Sequence, residues 1–225
     1  EVCRQFEDKT GSIIFEAYGL TETAPAVCIN PSFRETRKIG SIGFPLPGTD
    51  VKIVALEEST QELPLGEDGE IAICGPQVMK GYWKRPDAND EVFVQIDGKR
   101  YFLTGDIGNI DKDGYITITD RKKDMIIVGG FNVYPREVED TLYTNPNVEL
   151  AAVIGVPDEK SGEKVKAFIK LKQGATSTPE EMTAFCKKNM AGYKRPRSIE
   201  FRDEIPVSNI GKVLRRVLRD ETKTT

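Results

Sequence analysis

Four short stretches of the chain hold the residue types that could do chemistry. Tyr18-Gly19-Leu20-Thr21-Glu22-Thr23 gathers hydroxyls and one carboxylate just after the apolar run Gly11–Phe15. Mg2+ takes oxygen ligands and usually shares phosphate oxygens with one or two carboxylates, so a loop of this composition suits a metal-bound nucleotide. A capped turn built on Gly19 accounts for the same residues without a ligand. Thr104-Gly105-Asp106 closes a strand pattern with a carboxylate whose two oxygens could accept from both hydroxyls of a ribose. Ordinary Gly-Asp turn chemistry is its plainer reading. Gly129-Gly130 would let a thin ligand pass close to the backbone, or would turn the chain ahead of a helix opened by Pro135. Near the C-terminus, Gly211-Lys212 offers one ammonium on a loop that can approach a ligand closely. By itself it is a solvated turn.

The chain contains no histidine, which removes Ser-His and Cys-His nucleophilic pairs and the commonest general base. Chemistry here must rest on charge, metal and positioning. Cys3, Cys28, Cys74 and Cys186 form no C-x-x-C pair, which argues against a zinc site or a disulfide framework and for a reducing cytoplasm. A net charge of -4 argues against nucleic acid as a partner. No apolar run approaches the roughly 20 residues of a membrane-spanning helix.

The elements that must position these stretches follow from periodicity. From Gly40 to Thr119 the texture is β: Val51–Val54, Glu70–Cys74 and Tyr115–Thr119 are short, rich in β-branched residues and bounded by Gly or Pro. This predicts a small antiparallel barrel or sandwich, with Asp113-Gly114 as a hairpin turn. Gly75–Asn89 reads as a long surface connection; its Met79, Tyr82 and Trp83 could line an acyl pocket, and packing beneath a loop is their plainer reading. Asp120-Arg121-Lys122-Lys123-Asp124 then interrupts the pattern. Five consecutive charges are costly to bury, so the spacing predicts a surface joint between residues 1–120 and 121–225.

Beyond the joint, a helix is predicted over Tyr134–Asn145, a buried strand over Val148–Val156, and a second helix behind Thr178-Pro179. In Lys164–Lys172, Val165, Ala167, Ile169 and Leu171 share one face and four lysines the other, implying a half-covered sheet. Ser198–Arg202 alternates as a strand. The tail is amphipathic, with Val213, Leu214, Val217 and Leu218 inside and Arg215, Arg216 and Arg219 outside. The fold class is therefore α+β: a β-rich, barrel-like subdomain followed by a small α+β domain with helices on a small sheet.

Taken in order, YGLTE (18–22), GEIAICG (69–75), TGD (104–106), DRKKD (120–124), GGFNVYPREVE (129–139) and NIGK (209–212) resemble the adenylate-forming acyl-CoA synthetase family. Within it the chain is most similar to the long-chain fatty-acid CoA ligases. The resemblance runs from about Ile14 to the end. It implies ATP, Mg2+ and coenzyme A as cofactor and substrates and a fatty acid as the acyl source, with acyl-AMP formed first and CoA then displacing AMP. Carried onto the matching positions, it makes Lys212 the adenylation lysine, Tyr18 the residue stacked on adenine beside Gly19, and Thr21 a phosphate-binding hydroxyl. It makes Glu22 the Mg2+ ligand, Asp106 and Arg121 the ribose contacts, and Gly129 and Gly130 the lining of the pantetheine path; the charged joint is then expected to hinge at Lys123, presenting Lys212 and the path beside Gly130 in turn.

The same resemblance assigns residues 1–120 to the end of a large adenylation domain and residues 121–225 to its small mobile domain. A Ser/Thr/Gly-rich phosphate loop and most of the acyl pocket are then expected upstream of Tyr18, as part of a larger enzyme. The expected setting is cytoplasmic, with peripheral membrane contact and a homodimer left open. Two alternatives stand beside the ligase: loading of a carrier protein or use of another acid, and a nucleotide-binding module without turnover.

Overall fold

The computed structural model describes residues 2–209 and 211–223. The chain divides into two compact units, Glu1–Lys122 and Lys123–Thr225. In the first, helix α1 (Val2–Thr10) leads to a three-stranded antiparallel sheet of β1 (Ala17–Gly19), β2 (Ala26–Ile29) and β3 (Phe44–Pro45). Then come β4 (Asp50–Val54), β5 (Gly69–Cys74), helix α2 (Pro86–Val92), β6 (Phe93–Ile96), β7 (Lys99–Ile110) and β8 (Ile116–Arg121). The long strand β7 is the spine of this second sheet. It pairs with β5 on one edge and with β6 and then β8 along the other.

Successive strand side chains point to opposite faces, and the β-branched runs exploit this. Ile53, Ile71 and Ile73 enter a cluster with Tyr18, Val27, Cys28 and Ile116, whereas Val54 and Ala72 enter another with Ile96, Tyr101 and Leu103. The first cluster draws on both sheets, and a backbone bridge from Gly43 to Ile116 ties them, giving the curled, barrel-like β-subdomain. Two local expectations fail. The connection after Gly75 ends in α2, with Pro86 at its first turn, and Trp83 is 85% exposed instead of packed beneath a loop.

The second unit contains β9 (Ile126–Val128), β10 (Phe131–Val133), α3 (Pro135–Tyr143), β11 (Val148–Asp158), β12 (Gly162–Leu171), α4 (Pro179–Asn189), β13 (Ser198–Phe201) and α5 (Arg215–Lys223). The sheet order is β10-β9-β12-β11, with β13 parallel to β12. Pro135 opens α3, and Thr178 caps α4 by exchanging hydrogen bonds with Glu181. Val138 and Leu142 from α3 and Met182 and Cys186 from α4 bury one face of the sheet.

The other face is covered too, so the half-covered sheet is corrected. Phe168, alone among the lysines of its face, is fully buried with Ala152, Ile154, Val156, Ile205 and Leu218. That aromatic ring was the sequence signal for a second layer, which α5 supplies by packing on β11. The face of α5 also differs from the amphipathic expectation. Leu214 and Val217 are exposed, while Arg215 and Arg219 reach Asp124 and Glu139.

The charged joint is likewise only partly at the surface. Asp120 and Asp124 are buried, whereas Arg121 and Lys123 are exposed. A buried charge is tolerated when it is paired and hydrogen-bonded. Asp124 receives Arg215 and Arg219, and Asp120 accepts the Arg121 N–H. Among the described residues, no helix is long and apolar enough to cross a membrane.

Candidate functional site

A cavity of about 680 Å3 opens in the first unit, lined among others by Gly19, Thr21, Glu22, Glu70, Gly105 and Arg121. Its rear wall is a defect in the β5–β7 ladder. Glu70 lies opposite Ile107 and Ala72 opposite Leu103, so one residue of β5 faces three of β7, Thr104–Asp106. Thr104-Gly105-Asp106 is therefore a bulge inside a long strand, not the end of one. Gly105 sits at φ +71°, which only glycine adopts at no steric cost.

Side chains hold the bulge where ladder bonds are lost. The Thr104 hydroxyl donates to the Ile71 carbonyl at 2.9 Å, the Gly105 N–H donates to Glu70 Oε1 at 3.0 Å, and the Asp106 N–H donates to Thr104 Oγ1 at 3.1 Å. Asp106 is buried, and both of its oxygens are engaged. Tyr18 donates its hydroxyl to Oδ2 at 2.6 Å, and Arg121 Nε lies 2.6 Å from Oδ1. Burial, reinforced by the Asp106 charge, pushes the Tyr18 phenol far above its ordinary range, so it remains a donor. Its ring packs in the core behind the wall.

The front wall is the loop from Leu20 to Ala24. The Thr23 hydroxyl accepts from the Leu20 N–H at 3.0 Å and donates to the Pro25 carbonyl at 2.9 Å, while Ala24 takes a left-handed conformation. Gly19 belongs to β1 and adopts no positive φ. It is needed for room, since a Cβ there would overlap the Pro25 carbonyl. Thr21 is exposed, and Glu22 accepts the Tyr82 hydroxyl on Oε1 at 2.8 Å. Burial and that bond raise the Tyr82 phenol.

Three further residues build the site. Glu70 is buried, with Lys122 Nζ 2.7 Å from its second oxygen; Lys122 and Tyr82 also line the cavity. A glutamate inside the otherwise apolar run Gly69–Cys74 was the available signal for Glu70. Tyr82 stood out only as an aromatic ring beside Met79 and Trp83, and its bond to Glu22 was not readable from that. The groups at the cavity that could ligate a cation are carboxylate and hydroxyl oxygens, standing beside the cationic Arg121 and Lys122, and no group of three or more metal-binding side chains occurs among the described residues. Such a set fits Mg2+, which keeps several waters and borrows phosphate oxygens, with Glu22 as the protein carboxylate.

In the second unit, Gly129 and Gly130 form the two-residue turn between β9 and β10, at φ +58° and +84°. Positive φ at both central positions is the type I′ requirement, whose twist matches that of the paired strands. Lys212 stands exposed on a short hairpin in which the Ser208 N–H donates to the Lys212 carbonyl at 2.8 Å and Val207 bridges Val213. Ile210, within the same motif, lies outside the described residues. Lys123 is exposed.

Residues 1–83 match the family described as AMP-binding enzyme, and residues 137–212 match the AMP-binding enzyme C-terminal domain. The chain belongs to the AMP-binding enzyme family. This family member is 47% identical, over 99% of its length, to a long-chain-fatty-acid–CoA ligase of Escherichia coli O6:H1, of which it covers 38%. It is 45% identical to a feruloyl-CoA synthase of Amycolatopsis sp, over 93% of this chain and 41% of that protein. The crystal structure of ATP-bound MatB from Rhodopseudomonas palustris superposes with a TM-score of 0.89 at 38% identity, over 98% of this chain and 43% of that one. The chain thus spans about two-fifths of the length of the relatives it matches.

Proposed function

We propose that these residues are part of an ATP-dependent acyl-CoA ligase acting on long-chain fatty acids. The acid's carboxylate attacks the α-phosphorus of ATP and pyrophosphate leaves; the thiol of CoA then attacks the acyl carbon of acyl-AMP, and AMP leaves as the thiol proton is lost. The observation that carries the reading is Asp106, a buried carboxylate on a strand bulge at the cavity, held by Tyr18 on one oxygen and by the half-exposed Arg121 on the other. Displacing the Arg121 side chain would open Oδ1 to a ribose hydroxyl while Tyr18 keeps the carboxylate oriented.

The remaining roles follow from charge and position. Gly19 borders the adenine, the buried Tyr18 ring supports that wall from the core behind it instead of stacking on the base, Thr21 donates its hydroxyl to phosphate, and Glu22, oriented by Tyr82, ligates Mg2+. When bound, Mg2+ offsets phosphate charge and orients the leaving pyrophosphate. Lys212 stabilises the converging carboxylate and phosphate oxygens without becoming a nucleophile. Gly129 and Gly130 flank the path of the pantetheine arm, and Lys123 is the hinge about which the second unit presents first Lys212 and then that path. On this reading the first unit closes the large adenylation domain and the second is the small domain. The setting is cytoplasmic, and the partners are fatty acid, ATP and CoA.

The fatty-acid assignment leans on the Escherichia coli relative, yet the feruloyl relative is almost as similar, so the acid must be tested directly. The full-length enzyme should catalyse palmitate-dependent ATP–pyrophosphate exchange and release AMP when free CoA is added. Exchange with ferulate but not palmitate would move the substrate to aromatic acids. AMP release with a carrier protein but not CoA would move the acceptor. ATP binding by calorimetry without exchange for any acid would leave a nucleotide-binding module.

A further inference from the structure

We infer that Arg215 is a positioning residue for the adenylation lysine, fixing through Glu139 and Asp124 the exit of the hairpin that carries Lys212; this rests on the reading of Lys212 given above. The hairpin is short and has two roots. At its entry, Ile205 is buried beside Phe168 and Leu218. Its two sides are joined by the Leu214 N–H donating to the Pro206 carbonyl at 2.9 Å, by the Val207–Val213 bridge and by the Ser208–Lys212 bond. At its exit the chain enters α5 directly at Arg215, three residues after Lys212.

Arg215 is the ionic anchor at that exit. Its Nη2 lies 2.6 Å and its Nε 3.3 Å from the two oxygens of Glu139, a two-pronged grip that a guanidinium can make and an ammonium cannot. Its Nη1 also faces Asp124 at 3.5 Å, and Arg219 holds the same carboxylate at 2.8 Å. Glu139 is fixed in turn, since it stands on α3 and accepts the Val153 N–H of β11 at 2.8 Å. The exit of the hairpin is thereby tied to the sheet and to the residue that follows Lys123. Among the described residues no carboxylate forms an ion pair with Lys212, whereas its backbone is held in the hairpin by Ser208, so the hairpin that Arg215 anchors is the support this side chain has.

Leu218 keeps α5 on the sheet independently, and neither core cluster of the unit includes Arg215. Losing the grip should therefore loosen the hairpin and leave the sheet intact. A small misplacement of a catalytic group is enough to matter, because an error near 1 Å can cost about 10²-fold in rate.

The test uses the full-length enzyme with Lys212→Ala, Arg215→Lys and the charge-free pair Glu139→Gln with Arg215→Gln. Acyl-AMP formation and thioester formation from supplied acyl-AMP are measured separately, with ATP affinity by calorimetry and amide hydrogen exchange by mass spectrometry. The double variant should lower kcat for acyl-AMP formation by about 10²-fold, with Arg215→Lys intermediate, while ATP affinity and thioester formation stay unchanged. Amides of residues 207–209 and 211–214 should exchange faster, and those of β11 and β12 should not. Equal losses in both half-reactions, with faster exchange in β11 and β12, would make Arg215 a folding residue and overturn the proposal. So would normal acyl-AMP formation in the double variant while Lys212→Ala abolishes it. If Lys212→Ala itself adenylates normally, the reading of Lys212 fails and takes this proposal with it, an outcome recognisable without any Arg215 variant.

Discussion

Asp106 in the first unit and Asp124 in the second are both buried carboxylates held by arginine, and they differ in the exposure of that arginine. Arg121 is half in solvent on a cavity wall, whereas Arg215 and Arg219 are largely covered and share their site with a second carboxylate, Glu139. A pair with one screened member contributes little net stability and can be exchanged for a ligand at small cost. A largely covered network is costlier to break, because removing one member leaves the charge of the others under-compensated where little water reaches. The same two residue types thus make a ligand-accessible contact in one unit and a fixed strut in the other.

The contrast yields predictions in descending size. Glu139→Ala removes the closer of the two carboxylates that hold Arg215 and the side-chain acceptor of the buried Val153 N–H, and should cost roughly 3–5 kcal/mol of the second unit's folding stability, read by urea denaturation. A loss near that of an ordinary surface change would erase the distinction between the two arginine sites. Asp106→Ala leaves the buried Tyr18 hydroxyl without its acceptor, at a cost of about 1–3 kcal/mol. It should also weaken ATP binding and slow both half-reactions of the full-length enzyme. Arg121→Ala should change stability by less than about 1 kcal/mol, with its effect appearing in the KM for ATP. A larger stability loss from Arg121→Ala than from Glu139→Ala would invert the comparison.

A third pair sharpens the rule from inside the first unit. Glu7 is buried and bonded by Arg37, which is equally covered, and the Arg37 hydrogen bond, helped by the Ile14 N–H, holds the Glu7 carboxyl down at about 2. Because the folded value is depressed, the stabilisation is complete above the ordinary carboxylate range and fades as pH falls toward about 2. Acid titration of unfolding should therefore show a component between about 4.5 and about 2 that Glu7→Gln removes. An unchanged acid profile in that variant would show that the pair does not survive in solution.

What the sequence revealed and what it hid divide along physical lines. Strands β4, β5 and β8 were legible because alternation survives where two faces bury apolar side chains, and α4 announced itself through Thr178, Pro179 and Glu181. Helix α2 was hidden because it buries none of its residues. The Thr104–Asp106 bulge read as a strand end, since an interrupted period of two resembles a turn. The inward arginines of α5 were missed because their partners Glu139 and Asp124 lie 76 and 95 residues away, beyond the reach of any helical periodicity. In the site, Thr21 and Glu22 stood out by residue type and Arg121 through the family resemblance, whereas the contacts of Tyr82 with Glu22 and of Lys122 with Glu70 come only from tertiary packing.

The turn between β9 and β10 carries one more lesson. At Gly129 and Gly130 a Cβ would meet nothing within 4 Å, yet both backbones are left-handed; Gly19, by contrast, has an ordinary φ and no space for a side chain. The hairpin therefore discriminates by chirality and not by bulk. A semisynthetic second unit with D-alanine at Gly129 and Gly130 should keep the turn and gain rigidity, because the mirror-image residue favours the very conformation that L-alanine resists.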